Sequence, residues 1–442
     1  MRSKIIVIIY FILSLYIYFN RQGYKENNFG ADPCGYYLYL PAIFIYHDLG
    51  KLAYLDSINS RYNFHREQYG LYQQPNNRFL DKYPIGTAIL HLPLFLVAQL
   101  YCAVDKTYPD DGYSMPFGIA ISITSLLLVV LGLLVLRKFL LQYYSDPAVS
   151  ITLLCIALGT NLYTYSVFTP GYSHPGSFML VAALLYCTSR FHSSFDRKYL
   201  LYLGFITGML IVTRPVNVLI TINPILWPIQ GEISLKNKLM RIAEIRIQAV
   251  LAVLFLLVPI VIQMSYWKYT TGSWLTYSYK NEYFNFLKPH VFKGLFSWRR
   301  GWFLYSPIAG VSIIGLIFLW KKDRHITLII AAFLVAFIYI TFSWRQWFYG
   351  GGFSIRPLID ILPVLSLPLA AFITHILSIR QWAIKAGYLL VICFFIVLNM
   401  FQSYQFMLKI LPYDNITRKQ YFEVFGKTKR DNKSALNAEE VD

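Results

Sequence analysis

The chain is poor in charge. Only 14% of its 442 residues are Asp, Glu, Lys or Arg, against about 25% in soluble globular domains, which argues against an ordinary soluble enzyme. Acids are the scarcer sign, 22 against 40 bases, leaving a formal net charge of +18. Low hydrophobicity is also missing. Hydrophobic residues make up 56% of the chain, and a disordered chain cannot carry that much. The five cysteines (Cys34, Cys102, Cys155, Cys187 and Cys393) are scattered without a CxxC, so they read as small core residues and not as a metal or disulfide framework. There is no P-loop, GxSxG, HExxH or dinucleotide fingerprint. No repeat of fixed period and no inverted repeat of the transporter kind is visible.

Long apolar runs are present instead. A spanning helix needs about 20 mostly apolar residues. Runs with little or no charge occupy 5–19, 84–104, 117–136, 149–168, 175–189, 199–213, 215–230, 247–264, 305–320, 326–342, 358–376 and 386–407. The bases lie between these runs, so a bilayer explains them better than nucleic acid does, and no nucleic-acid partner is expected. Aromatics reach 18%, which suits membrane interfaces. The first run lacks a small-residue cleavage site and reads as an uncleaved span.

Charge decides whether 84–104 crosses. If it lies along the outer surface, the loops at 1–4, 137–148, 190–198, 231–246, 321–325 and 379–385 share one side with 16 bases against 5 acids. The long first loop, 20–116, then faces the other side with 8 bases and 9 acids. That is the positive-inside pattern. The sequence therefore predicts an all-α polytopic membrane protein of about 11 spans, with a cytoplasmic N-terminus. Its membrane domain covers 1–412 and a polar tail covers 413–442. The first loop is too long for a connector; residues 36–46 and 84–100 read as helices lying in the interface plane.

Four features on the predicted outer side carry possible chemistry. Asp32 opens Asp32-Pro33-Cys34-Gly35-Tyr36-Tyr37. It reads either as a turn and helix cap or as a general base or metal ligand. The 265–304 loop holds Lys268, Lys280, Lys288, Lys293, Arg299 and Arg300, with Glu282 its one acid. This local break of the charge rule suits an anion, since Arg forks match phosphate oxygens; an interfacial Trp/Arg belt is the alternative. Arg345 and Arg356 flank Gly350-Gly351-Gly352, where backbone can approach a ligand closely, and Asp360 follows. His174, in the turn 169–175, is either solvated or a metal or phosphate contact. Arg214 either snorkels or has a functional partner. His65, Glu67, Asp81, Lys82 and Tyr83 are further polar residues of the first loop, and Asn415-Ile416-Thr417 matches a glycosylation sequon.

These residues resemble the GT-C class of membrane glycosyltransferases, which includes protein O-mannosyltransferases and bacterial aminoarabinose transferases. The likeness rests on Asp32 beyond the first span, the segments Tyr36–Ala42 and Lys82–Thr87, Ser173-His174-Pro175 and Thr213-Arg214-Pro215-Val216-Asn217, and covers the first 230 residues best. Pro33 follows Asp32 where many members carry Asp-Glu, and His174 stands where relatives often have Asp. Direct Arg or Lys contact to phosphate therefore competes with a metal as the way to hold the donor.

The resemblance implies a sugar donor on a polyprenyl phosphate or pyrophosphate lying between the spans, and a glycan, lipid or protein acceptor. It implies Asp32 as base or metal ligand, with inversion at the sugar. Charge placement assigns Arg299, Arg300, Arg345 and Arg356 to the leaving phosphate. His174, Tyr36, Tyr37, Lys82, Tyr83 and Asp360 are expected to line the cavity. A divalent cation (Mg or Mn) is the one cofactor left open. The expected location is a bacterial inner membrane with a periplasmic site. A lipid-linked saccharide flippase or transporter and an O-antigen-type polymerase are the competing readings. The first would need polar residues along a path through the spans; the second would leave Asp32 dispensable.

Overall fold

The computed structural model describes residues 2–26, 28–30, 32–64, 70–228 and 234–430; His65, Glu67 and the tail beyond residue 430 lie outside them. Helix α1 (Arg2–Asn20) leads into a long segment that holds α2 (Asp32–Phe44), α3 (Leu55–Tyr62), strands β1 (Leu71–Gln73) and β2 (Phe79–Asp81), and α4 (Gly86–Asp105). The strands pair antiparallel, Leu71 opposite Asp81, and are a small β element within a chain whose sequence predicts helices alone. The chain continues through α5 (Met115–Leu140), α6 (Asp146–Leu158), α7 (His174–Ser194), α8 (Arg197–Thr213), α9 (Ile222–Leu226), α10 (Leu235–Glu244) and α11 (Arg246–Thr271). Then follow α12 (Val291–Phe296), α13 (Trp302–Tyr305), α14 (Pro307–Lys322), α15 (Arg324–Ser343), α16 (Leu362–Ser378), α17 (Trp382–Met407) and α18 (Arg418–Val424). Proline sits in the first turn of α2, α5, α6, α7 and α14, where its missing N–H costs no helical bond.

Helices α1, α4, α5, α11, α15 and α17 are each long and apolar enough to cross a bilayer. The protein is thus a mostly helical, polytopic integral membrane protein, an architecture in which every backbone polar group in lipid is satisfied within its own helix. The connections gather at two ends. At one end Asp146 accepts from the backbone N–H groups of Arg2 and Ser3 (2.8 and 3.4 Å), Arg137 donates to Ser3 Oγ (2.7 Å), and Trp227 sits 6.3 Å from Phe139. At the other end, called here the Asp32 end, lie the long first segment, the 159–173 turn, Arg214, and the 272–306 and 344–361 loops.

Helix α4 keeps to the Asp32 half. Leu90 packs on Gly176 in the first turn of α7, Phe95 meets Phe117, and Cys102 lies 3.8 Å from Ser114 just before α5. It therefore runs antiparallel to α5 along the half nearest Asp32. Helix α2 departs from expectation. The sequence suggests an interfacial helix, yet every residue from Pro33 to Ala42 is buried. The cause is a roof made by its own loop. The Tyr37 hydroxyl donates to the Gly112 carbonyl (2.5 Å), Tyr46 stacks on Tyr54 at 3.9 Å, and Leu55 and Ile58 complete the same apolar cluster. Cysteines 34, 102, 155 and 187 are buried as expected, while Cys393 is exposed on α17.

Small residues bring α8 and α11 together. A Cβ on Gly204 would lie 2.0 Å from the Ala252 carbonyl oxygen, and one on Gly208 would lie 2.3 Å from that of Leu256. This is the small-residue packing on which membrane helices rely. Gly204→Val is expected to destabilise the protein by about 1–3 kcal/mol, the usual cost of overpacking. A clear drop in melting temperature in detergent checks this; an unchanged transition contradicts it.

Candidate functional site

Asp32 is the first residue of α2 and stands at the centre of the Asp32 end. Its Oδ1 accepts from the Tyr83 hydroxyl at 2.8 Å, and its Oδ2 accepts from Arg356 Nη2 at 2.5 Å. The carboxylate remains one-quarter exposed, at 25%, while the Arg356 side chain is 11% exposed. Arg356 opens a 3₁₀ turn, Arg356–Ile359, and its guanidinium lies over the Tyr172 ring at 4.8 Å.

Tyr83 is fixed from several directions. Its backbone N–H donates to Asp81 Oδ1 (2.8 Å), its carbonyl accepts from the Tyr39 hydroxyl (2.6 Å), and its ring meets Tyr36 at 4.6 Å. Asp81 is itself buried, and burial pushes its carboxyl well above the ordinary range. Lys82 next door pairs with Glu282 at 2.7 Å, so the one acid of the basic 265–304 loop folds back on the site.

A second cluster lies beside the first. His174 Nδ1 is 2.9 Å from Asp360 Oδ1, and Arg214 Nη1 is 3.3 Å from His174 Nε2. Arg214 Nε lies 3.0 Å from Asp360 Oδ2, but neither atom completes a hydrogen bond, so this contact is a charge contact and not a directed one. With the His174 Nδ1 proton directed at Asp360, its Nε2 lone pair faces Arg214 and is not free to take a substrate proton. Tyr36 links the clusters, since its hydroxyl accepts from Ser173 Oγ at 3.2 Å.

The remaining expected residues fall elsewhere. Tyr37, one residue and 100° of helix beyond Tyr36, turns into the apolar cluster with Phe29, Phe95 and Tyr113. Arg299 makes a two-pronged pair with Asp414 (2.9 Å on each side) and lies 3.4 Å over the Phe348 ring. Arg300 is 2% exposed; it donates to the carbonyls of Gly352 and Tyr413 and to Asp414. The anion these two arginines meet is thus the chain's own Asp414. Arg345 is exposed, over the Tyr283 ring at 5.5 Å. Of the four arginines expected at the donor phosphate, the structure brings Arg356 to Asp32 and adds Arg214 through His174 and Asp360. The sequence shows Arg214 as a charge closing an apolar run, within one of the segments of the GT-C likeness, but not which residues it meets.

Among the described residues no three His, Cys, Asp or Glu side chains cluster in a way that would hold a metal ion, and each oxygen of Asp32 already has a protein partner. No known family model, curated protein or solved structure gives a significant match to the chain.

Proposed function

We propose that the protein is a membrane glycosyltransferase of GT-C type. It moves a sugar from a polyprenyl-phosphate-linked donor to a glycan, lipid or protein acceptor. The observation that carries this reading is the pairing, at one end of a polytopic bundle, of one partly exposed carboxylate with a buried arginine beside it. Ionisable residues in a membrane domain are costly and are functional by default.

The reaction fits the residues. The Asp32 carboxylate takes the proton of an acceptor hydroxyl or amine. The freed lone pair attacks the anomeric carbon, the carbon–oxygen bond to phosphate breaks with its electron pair leaving on the phosphate oxygen, and the single displacement inverts the centre. Arg356, and Arg214 beyond it, stabilise the charge gathering on the phosphate; stabilisation of developing charge is often what lowers such barriers most. His174 and Asp360 aim Arg214. In this reading the chain crosses the membrane 11 times, with α4 outside the count. The basic end with Arg137 and Lys322 faces the cytoplasm, and the Asp32 end faces the periplasm of a bacterial inner membrane.

The test is incubation of the purified protein with a panel of radiolabelled polyprenyl-phosphate sugars and a membrane acceptor extract. One donor should yield labelled product of inverted anomeric configuration. Retention of configuration, or binding of donors with no transfer from any of them, contradicts the proposal.

A further inference from the structure

The geometry around Asp32 poses a difficulty for a base at rest. Both carboxylate oxygens are already accepting, one from a phenol and one from a guanidinium. An acceptor hydroxyl arriving first would find the oxygen it needs held by Arg356. The glycine loop, however, comes close to the same guanidinium nitrogen. Apart from its own chain neighbours, a Cβ placed on Gly350 would have only Arg356 Nη2 within reach, at 4.0 Å.

The backbone there is built for close approach. Tyr349, Gly350, Gly352 and Ser354 all have positive φ (56°, 68°, 147° and 55°), and at Gly350 no side chain fills the space. An anion entering along Gly350 therefore reaches Arg356 at the nitrogen that holds Asp32. The phosphodiester of the donor carries the same single charge as a carboxylate but presents its two non-bridging oxygens in the geometry a guanidinium prefers, and the monoester carries more charge still.

We propose that Arg356 is a phosphate-operated latch on Asp32: the guanidinium holds the carboxylate until a phosphate oxyanion arrives beside Gly350 and takes it, so that the base is freed only after the donor is seated. This rests on the transferase reading above and adds a compulsory order to it, donor before acceptor. The order guards the donor, because Asp32 is not available to activate water while the phosphate site is empty. Tyr83 stays on the other oxygen throughout and keeps the carboxylate aimed. Arg356 is in this sense both a phosphate ligand and a positioning residue for Asp32.

The experiment measures the reactivity of Asp32 and not turnover, so it stands apart from the transferase assay. The full-length protein in detergent is treated with a hydrophobic carbodiimide, and modification of Asp32 is followed by peptide mass spectrometry. Three conditions are compared: no addition, inorganic phosphate, and sugar-free polyprenyl phosphate. Polyprenyl phosphate should raise the rate of Asp32 modification about tenfold, the factor of one charge-assisted hydrogen bond.

A similar rise with inorganic phosphate means that the site reads the phosphate group alone; a rise with the lipid form only means that the chain-bearing phosphate is required. Arg356→Lys, which keeps the charge but not the fork, should react faster than native protein without any ligand and respond less to it. If Asp32 reacts at the same rate or more slowly with polyprenyl phosphate bound, the latch is wrong, whether or not the protein transfers sugar. If the latch responds but no donor is consumed, it is the transferase reading that fails.

Discussion

Replacing Asp32 with Asn is expected to lower transfer by about 10²–10⁴-fold, the usual contribution of a general base, while donor binding persists. The substitution keeps the shape of the side chain and an acceptor oxygen for Tyr83. It removes the charge that pairs with Arg356, so the phosphate site becomes, if anything, more available. The expected signature is therefore a large fall in kcat with an unchanged or tighter donor KM. A turn-forming Asp32 would show neither effect, since Asn caps a helix about as well as Asp. Equal turnover by the two proteins would return Asp32 to a structural role and favour a polymerase-like arrangement in which later loops carry the reaction.

The second large effect concerns stability. Asp414→Ala is expected to destabilise the protein by about 3 kcal/mol, because removing one partner leaves the other charge buried and unpaired. The charge in question is Arg300, 2% exposed against 29% for Asp414. Arg300 also holds the carbonyls of Gly352 and Tyr413, so the loss should spread to the glycine loop and to the segment leading into α18. Arg299→Ala should cost less, about 1 kcal/mol or below, since its pair with Asp414 is partly exposed. Melting curves of the two variants in one detergent decide this. Equal losses would contradict Arg300 as the charge that Asp414 chiefly offsets, and loss of donor binding by Arg299→Ala at unchanged stability would return Arg299 to the ligand site.

These two residue pairs show what the sequence can and cannot disclose. Apolar runs and the imbalance of basic loops are local properties, so the helical, membrane-spanning architecture is open to reading. Asp32 stands out as a carboxylate beyond the first span, and Arg356 as a base beside three glycines. That they touch is hidden, because 324 positions separate them. The pairing of Arg299 and Arg300 with Asp414 is hidden for the same reason. Their charge is visible, but the acid that neutralises it comes 115 positions after Arg299, in a tail that reads as merely polar.

The burial of α2 is not legible because its apolar stripe looks the same under lipid as under a roof of protein. Tyr36 and Tyr37 cannot be separated without the rotation of that helix. Arg214 is visible as an arginine closing an apolar run, and only the convergence of α7, α8 and the 3₁₀ turn before α16 gives it a direction.

The most direct measurement of the central claim is sidedness of transfer in sealed vesicles. Native protein in inner-membrane vesicles of both orientations is supplied with radiolabelled polyprenyl-phosphate sugar and an acceptor that does not cross the bilayer. Label should reach the acceptor only in vesicles that expose the Asp32 end, identified by modification of a cysteine placed at Asn415, and Asp32→Asn should abolish it. Transfer on the face that carries Arg137 and Lys322, or transfer that survives Asp32→Asn, would contradict a transferase built around Asp32.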